Sequence, residues 1–136
     1  MKERMNENNT GTYTVTVIRD FIARHFLTGG DWGAENEEHA HHYKLELTLE
    51  GAHLDRHNYL VDIVAIEAAL DAFVGRYGDA LLNEMPAFAD TNPSIELFSR
   101  VAFDEIVPAV AVPGLSGAVV TMWEHDTAKA SYAATF

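Results

Sequence analysis

Three histidines stand where side chains from neighbouring strands could converge on one metal ion. His39 and His41 lie two residues apart in an alternating segment, so their side chains project from the same face of a strand. His42 projects from the opposite face and is a poor ligand for the same ion. His25 lies on the preceding strand and could complete a three-histidine site with one open position, as in catalytic zinc centres. A solvated histidine cluster is the alternative that this short motif leaves open.

Acidic residues follow the first of these histidines in a loop that has no hydrophobic periodicity. The segment 28–38, TGGDWGAENEE, is rich in glycine and carries Glu35 and Glu37 among its acids. Connections of this length in compact domains are usually functional or disordered. A glutamate withdrawn from water could act as a general base beside a metal ion, because desolvation raises the pKa of a carboxyl group. A solvated acidic loop is the simpler interpretation of the same residues.

The length and composition set the frame for this chemistry. The chain has 136 residues, of which 48% are hydrophobic, and this predicts one globular domain with a substantial core. We expect a flexible segment over residues 1–11 and a single domain over residues 12–136. The sequence contains no cysteine, which excludes disulfides, thiolate ligands and a cysteine nucleophile. A metal ion would therefore be held by His, Asp or Glu.

The charge balance excludes some classes of partner. The 21 acidic and 9 basic residues give a formal net charge of −12, which argues against nucleic acid and against an anionic membrane surface as partners. The N-terminal segment has no apolar stretch typical of a signal peptide, and no later apolar run approaches the roughly 18 residues of a membrane-spanning helix. These features predict a soluble cytoplasmic protein.

The hydrophobic pattern predicts that the histidines are carried by two strands at the start of the domain. Residues 12–27 alternate between apolar and polar side chains in two runs, and the slip between the runs predicts a β-bulge near Arg19–Asp20. Residues 39–50 alternate without interruption. This second segment is the clearest strand in the sequence.

Two helices are predicted to follow. Residues 61–76 have apolar side chains at three- and four-residue spacing, with Asp62 in the first turn and Gly78 placed to end the helix. A second helix is predicted to begin at Asn92–Pro93, with the asparagine as N-cap and the proline at the first helical position. We expect this helix to stop before Pro108.

Two final strands complete the predicted domain. Residues 116–123 and 130–136 have strand patterns and are separated by the polar turn 124–129. The order of elements is therefore ββααββ. This order predicts an α+β fold in which a four-stranded antiparallel sheet has two helices packed on one face.

Short motifs occur along the chain in an order that resembles one enzyme family. They are Phe21-Ile22-Ala23-Arg24-His25-Phe26, His39-Ala40-His41-His42-Tyr43, Leu54-Asp55 with Val61-Asp62, Leu82-Asn83, Asn92-Pro93-Ser94-Ile95-Glu96, and Trp123-Glu124 with Tyr132. Each motif alone is weak, whereas their order and spacing together are specific and cover nearly the whole chain after residue 11. In these motifs the sequence resembles the 6-pyruvoyl tetrahydropterin synthase and 6-carboxytetrahydropterin synthase family.

The resemblance implies a fold and a metal. The family has the tunnelling fold, or T-fold, which has the same order of elements and assembles into barrels from several subunits. The zinc ligands of the family correspond to His25, His39 and His41 in this sequence. Ala40 replaces the glycine that the family has between the last two ligands, a small change that a strand should tolerate.

The resemblance also implies a pterin as the small-molecule partner. The glutamate that anchors the pterin ring in the family, through the ring NH and the amino group, corresponds to Glu124. The turn at the start of the second helix, which lies near the pterin in the family, corresponds to Ser94 and Glu96. His53, His57 and His125 have no spacing that indicates a ligand role.

The sequence departs from the family at the catalytic residues. The usual base of the family is a cysteine, and its position corresponds to Glu35, with Glu37 as the match in another register. The Asp-His pair that follows the first helix in the family is represented by Asp79 alone, and His57 or His125 could stand in for the missing histidine. One branch of the family has a glutamate in place of the cysteine and cleaves the side chain of dihydroneopterin triphosphate, giving 6-hydroxymethyl-dihydropterin for folate synthesis.

The resemblance therefore implies a zinc-dependent lyase that acts on the side chain of 7,8-dihydroneopterin triphosphate or a close relative. The alternatives are 6-pyruvoyl or 6-carboxytetrahydropterin synthase activity, and a repurposed pterin-binding protein without catalysis. An exposed sheet face and two free sheet edges predict a homo-oligomer, and the resemblance implies a hexamer built as a dimer of trimers. The net charge of −12 counts against a triphosphate in the pocket.

Overall fold

A computed structural model describes residues 11–136, so the predicted flexible segment 1–11 lies, apart from Gly11, outside the described residues. Four antiparallel strands form one sheet in the order β1-β2-β3-β4, and two helices connect β2 to β3. The first helix contacts β1, the second contacts β3 and β4, and both lie on one face of the sheet. This arrangement confirms the predicted α+β fold with ββααββ order. The elements are β1 (Tyr13–His25), β2 (His39–Gly51), α1 (Ile63–Tyr77), α2 (Ile95–Val110), β3 (Leu115–Glu124) and β4 (Ala128–Thr135).

The first strand is continuous, so the predicted bulge at Arg19–Asp20 is wrong. Strand β1 pairs with β2 in one unbroken register over all of Tyr13–His25. The apparent slip arises because Arg19 lies on the helix-covered face, where an apolar residue would be expected. Its Nε donates to the carboxylate of Asp71 on α1, at 2.7 Å. Because Arg19 is polar but lies on the apolar face of the strand, the sequence pattern wrongly suggested that the strand changes face at this residue.

Helix α1 is capped by a hydrogen bond at each end. The carboxylate of Asp62 accepts from the backbone N–H of Val64 at 3.0 Å, so Asp62 is the N-cap and the helix begins two residues later than predicted. Gly78 ends the helix as predicted, because its N–H donates to the carbonyl of Val74 at 2.7 Å. A Cβ at Gly78 would lie 2.7 Å from that carbonyl oxygen, so glycine fits this close approach and a larger residue does not.

Helix α2 begins two residues later than the predicted start. The hydroxyl of Ser94 accepts from the N–H of Leu97 at 3.1 Å and is the N-cap, so the prediction of Asn92 as N-cap is wrong. The side-chain oxygen of Asn92 accepts instead from the N–H of Thr28, at 2.9 Å. The side chain of Asn92, which local propensity assigns to the helix cap, instead bonds to a residue that is distant in the sequence.

Helix α2 also continues past the proline that was predicted to stop it. Pro108 lies inside the helix, which ends at Val110. Proline removes one backbone hydrogen bond, but so close to the C-terminus the loss is confined to the last turn. Val107 and Val110 are 3% and 7% exposed, and their burial against the sheet holds that turn in place.

The core between helices and sheet is built around one aromatic ring. Phe98 on α2 is fully buried, and the centroids of five other rings lie 5.2 to 5.9 Å from its own. These rings come from both of the first two strands, from α1 and from the connection between the helices. They are Phe21, Tyr43, Phe73, Tyr77 and Phe88.

The chain that leaves β1 is held by two asparagines. The side chain of Asn83 accepts from the N–H of Phe26 and donates to its carbonyl, both at 2.9 Å. The side chain of Asn92 pairs in the same way with the backbone of Thr28, at 2.9 and 3.1 Å. Each amide thus replaces a neighbouring strand, and together they fix the path of the chain directly after His25.

Within residues 11–136, neither helix has the length and hydropathy required to cross a lipid bilayer.

We expect Phe98→Ala to lower the free energy of unfolding by about 3–5 kcal/mol, because it removes the ring on which the aromatic core converges and leaves a cavity. Urea denaturation followed by circular dichroism measures this loss. Phe136→Ala is the control, since this ring is 56% exposed, and it should change stability by less than about 0.5 kcal/mol. A loss below about 1 kcal/mol for Phe98→Ala would contradict the packing described.

We expect Asn83→Ala to lower stability by roughly 1–3 kcal/mol, because the N–H and carbonyl of Phe26 both lose their partner. The loop 28–38 should also become more sensitive to limited proteolysis, read by mass spectrometry of the fragments. Asn58→Gly serves as the control, since Asn58 lies in an exposed turn at a φ of 71° that glycine adopts readily. Equal proteolysis of both variants would show that Asn83 does not hold the loop.

A candidate metal centre

Strand pairing places the three predicted ligands on one face, at the end of the β1–β2 ladder. His25 lies directly opposite His39 in the register, and His41 follows two residues along β2 on the same face. The three ring centroids are 4.6, 4.7 and 4.8 Å apart, so the rings form a nearly equilateral triangle. His25 and His41 are 2% and 7% exposed. In this histidine triangle, His25 and His41 are withdrawn from water on the side of the core, and His39 is half-buried.

Two members of the histidine triangle are oriented by backbone carbonyls. The Nδ1 atom of His25 lies 3.0 Å from the carbonyl oxygen of Pro93, at the start of α2. The Nδ1 atom of His39 lies 2.7 Å from the carbonyl oxygen of Glu37. A carbonyl can only accept, so Nδ1 carries the proton in both rings and Nε2 keeps its lone pair. Metal-binding histidines are commonly held by such outer contacts.

The free nitrogens of the histidine triangle fit a metal ion. The Nε2 atoms of all three rings are buried and have no hydrogen-bond partner, a costly state for polar atoms. Ligand atoms of the three histidines and Glu35 all lie within 4.8 Å of one another. Burial, the largest cause, and the neighbouring histidines lower the pKa of His41 to about 4, so this ring is neutral near pH 7 and can ligate. The pKa of His25 is also lowered, chiefly by burial.

Two carboxylates flank the histidine triangle from different elements. Glu35 lies in the short helical turn Gly33–Asn36, and its Oε1 is 3.8 Å from Nε2 of His39. Glu124, at the end of β3, has Oε2 3.4 Å from Nε2 of His41. Burial, the largest cause, and the charge of Glu35 raise the pKa of Glu124. The site thus places the imidazole nitrogens of the histidine triangle beside two carboxyl groups.

The structure separates the two candidate bases of the loop. The backbone carbonyl of Glu35 accepts from the N–H of Leu27 at 2.9 Å, which ties the glutamate to the chain leaving β1. Glu37 approaches the histidine triangle through its carbonyl, which holds His39, and its carboxylate is outside the group of potential metal ligands. The side chain of Glu35 is 53% exposed, so the expected withdrawal of the base from water is not achieved within one chain.

The remaining predicted residues divide into near and distant groups. Ser94 caps α2 directly after the proline that holds His25, and the charge of Glu96 contributes to the raised pKa of Glu124. Asp79 lies apart from the histidine triangle. It lines a cleft with Asp20 and other residues at the β1 edge of the sheet, and it is not among the potential metal ligands.

The structure also places His125 at the site, although its spacing in the sequence indicates no ligand role. The Nε2 atom of His125 lies 2.6 Å from Nδ1 of His41, the third member of the histidine triangle. His125 follows Glu124 in the turn after β3, and its N–H donates to the carbonyl of His42 at 2.8 Å. Only the pairing of β3 with β2 brings it beside the ligand, and no spacing rule predicts that contact. In the sequence, only its position next to Glu124 indicates that His125 could lie near the site.

Comparison with known proteins identifies the family and the fold. A family model described as 6-pyruvoyl tetrahydropterin synthase matches residues 14–135, and comparison with curated protein sequences returns no significant match. The structure is similar to 6-pyruvoyl tetrahydropterin synthase from Caenorhabditis elegans, with a TM-score of 0.80 and 18% identity over 91% of this chain and 96% of the other.

The Plasmodium vivax enzyme of the same name gives a TM-score of 0.76 and 14% identity, over 93% of this chain and 99% of the other. A variant of that enzyme, in which a glutamate described as a catalytic residue is replaced by alanine, matches equally well. These structural likenesses establish the fold, and the family model covers most of the sequence. The chain therefore belongs to the 6-pyruvoyl tetrahydropterin synthase family.

Proposed function

We propose that this protein is a zinc-dependent lyase that acts on the side chain of 7,8-dihydroneopterin triphosphate or a close relative, to give 6-hydroxymethyl-dihydropterin. Membership of the family supports pterin chemistry. The observation that carries the proposal is the histidine triangle, whose three Nε2 atoms are buried, unpartnered and convergent. Three imidazoles with an open fourth position are the donor set of catalytic zinc.

In the proposed site His25, His39 and His41 would hold Zn²⁺. Zinc bound there would act as a Lewis acid that lowers the pKa of the side-chain hydroxyls of the substrate and of the adjacent C–H. The outer contacts of His25 and His39 keep their rings in the ligating orientation. The protein thus supplies a rigid donor set on one side of the substrate and leaves the other side for a base.

Glu35 is the proposed general base. Its carboxylate lies 3.8 Å from Nε2 of His39, which would place it beside a substrate bound at the metal site. Glu35 would take that proton and return it to the product after the carbon–carbon bond breaks. Glu35 is favoured over Glu37 because the carboxylate of Glu37 is outside the group of potential metal ligands. The glutamate described as catalytic in the Plasmodium vivax enzyme supports a carboxylate base within this family.

Glu124 is the proposed anchor for the pterin ring. A pterin presents a ring N–H and an amino group side by side, and an ionised carboxylate can accept from both. Burial raises the pKa of Glu124, and two donors from the ligand would offset that effect by stabilising the charged form. Ser94 and Glu96, at the start of α2, are proposed to line the same pocket.

The assembly is proposed to be a homo-oligomer, a hexamer built as a dimer of trimers. The face of the sheet opposite the helices exposes apolar side chains, including Ile18 at 44% and Ile22 at 52%. Strands β1 and β4 form the two edges of the sheet, and such edges favour pairing with another chain. Asp79 lies near the β1 edge, so a catalytic role for Asp79 would serve the site of a second copy. A second copy could also complete the burial of Glu35.

We expect Glu35→Gln to lower turnover of the pterin substrate by about a hundredfold to ten-thousandfold, the usual contribution of a general base, while zinc content stays at the wild-type level. Glu37→Gln is the matched control, because it keeps the backbone carbonyl that holds His39, and it should retain turnover close to wild type. Product mass spectrometry and metal analysis of both variants measure these effects. A larger loss for Glu37→Gln would reverse the assignment of the base.

Among the close relatives within this proposal, dihydroneopterin without its phosphates is the substrate that the charges of the site favour. Glu35 and Glu124 flank the histidine triangle, and the charge of Glu96 acts on Glu124. The basic residues that could offset these acids bond elsewhere. Arg24 pairs with Glu38 and Arg76 with Glu105, and Lys44 lies over the ring of Trp123. With these three cations engaged elsewhere, the acids around the proposed zinc ion disfavour a triphosphate.

We therefore expect kcat/KM for dihydroneopterin to equal or exceed that for its triphosphate, measured by product mass spectrometry at equal zinc loading. A preference for the triphosphate above about tenfold would match at least one charge-assisted hydrogen bond, and it would show that another copy or segment supplies a cation. Binding of pterin without turnover of either compound would instead identify a repurposed pterin-binding protein.

A further inference from the structure

We propose that the hydroxyl of Tyr43 is a substrate-binding group, which donates a hydrogen bond to an acceptor of the pterin ring held by Glu124. The inference rests on the proposed function and adds a residue to the proposed pocket. Tyr43 is fully buried, and its hydroxyl has no hydrogen-bond partner. A buried hydroxyl without a partner costs free energy, which an acceptor on a bound ligand would recover.

The unpartnered hydroxyl lies beside the unpartnered nitrogens of the histidine triangle. Among residues 11–136, four buried side-chain nitrogen or oxygen atoms have no partner, and the other three are the Nε2 atoms of the triangle. The ring centroid of Tyr43 is 5.8 Å from that of His41 and 6.5 Å from that of His25. Zinc takes imidazole, thiolate or carboxylate ligands, so the ion would satisfy the histidines. The hydroxyl would be left for the molecule bound beside the ion.

The neighbours of Tyr43 indicate where an acceptor for its hydroxyl can lie. Its ring stacks on Phe21 with centroids 5.4 Å apart, and it makes a T-shaped contact with Phe98 at 5.2 Å. Neither of these side chains has an oxygen or a nitrogen. The polar neighbours are His41, two residues earlier on the same face of β2, and Glu124, directly opposite on β3. We therefore expect the partner of the hydroxyl on the side of the metal site rather than in the aromatic core.

The pterin ring carries acceptors next to the groups that Glu124 is proposed to bind. Its ring N–H and amino group are flanked by a carbonyl oxygen on one side and by a ring nitrogen on the other. Both of these atoms can accept a hydrogen bond, but the carboxylate of Glu124 has no hydrogen to donate to them. A hydroxyl beside Glu124 supplies the missing donor. A site that pairs both kinds of polar atom discriminates strongly against ligands that lack one of them.

The test compares Tyr43→Phe with Tyr77→Phe in the zinc-loaded chain of 136 residues. Both tyrosines are buried in the aromatic core, but the hydroxyl of Tyr77 donates to the carboxylate of Glu105 at 2.5 Å. The probe is unsubstituted pterin, which has no side chain to cleave, and isothermal titration calorimetry measures its Kd. We expect Tyr43→Phe to raise this Kd by about 5-fold to 50-fold, with the Kd for Zn²⁺ unchanged. Tyr77→Phe is the matched control and should leave both constants unchanged.

Thermal unfolding without pterin gives a second readout, which distinguishes a binding role from a structural one. Tyr43→Phe removes a polar atom that has no partner and should raise the unfolding midpoint by roughly 2–6 °C. Tyr77→Phe breaks a hydrogen bond and should lower the midpoint.

Two results would overturn the inference while leaving the proposed function in place. One is an unchanged pterin Kd for Tyr43→Phe, and the other is a midpoint lowered by this variant as it is by Tyr77→Phe, which would show that the hydroxyl is already bonded within the protein. Zinc-loaded wild-type protein that does not bind pterin would overturn the proposed function itself.

Discussion

The register between β1 and β2 is the constraint on which the site depends. A slip of one residue would turn every side chain of a strand to the opposite face. The register that buries Phe21 and Tyr43 around Phe98 also brings His25 opposite His39. The aromatic core therefore holds the ligands in place, although none of its carbon atoms takes part in the chemistry.

The site contains buried polar atoms without hydrogen-bond partners, and the residues around them are well packed. Three Nε2 atoms are buried without a partner, while the opposite nitrogens are held by the start of α2, by the loop before β2 and by the turn after β3. Such a site is unfavourable when empty and is satisfied by a cation, so metal binding and folding stability are linked. The outer contacts explain how rings from two strands keep one common focus.

The two carboxyl groups beside the histidine triangle differ in their electrostatic environment. Glu124 is the more buried carboxyl and has the raised pKa, whereas Glu35 stays half exposed in its loop. A cation among the histidines would attract the carboxylates of Glu35 and Glu124. At this site the negative charge of the chain, −12 in total, would therefore favour cation binding. The same field repels further anions, and this is why the phosphates of a substrate matter to the proposal.

The sequence by itself determined the element order, the face shared by His39 and His41, and the acids near them, because alternation and helical spacing are local properties. The predictions of a bulge at Arg19 and of Asn92 as a helix cap were wrong, because Asp71 and Thr28, which bind these side chains, are distant in the chain. The tertiary structure alone decided which loop glutamate approaches His39 and brought His125 to His41. Both depend on hydrogen bonds between turns and strands, which no periodicity encodes.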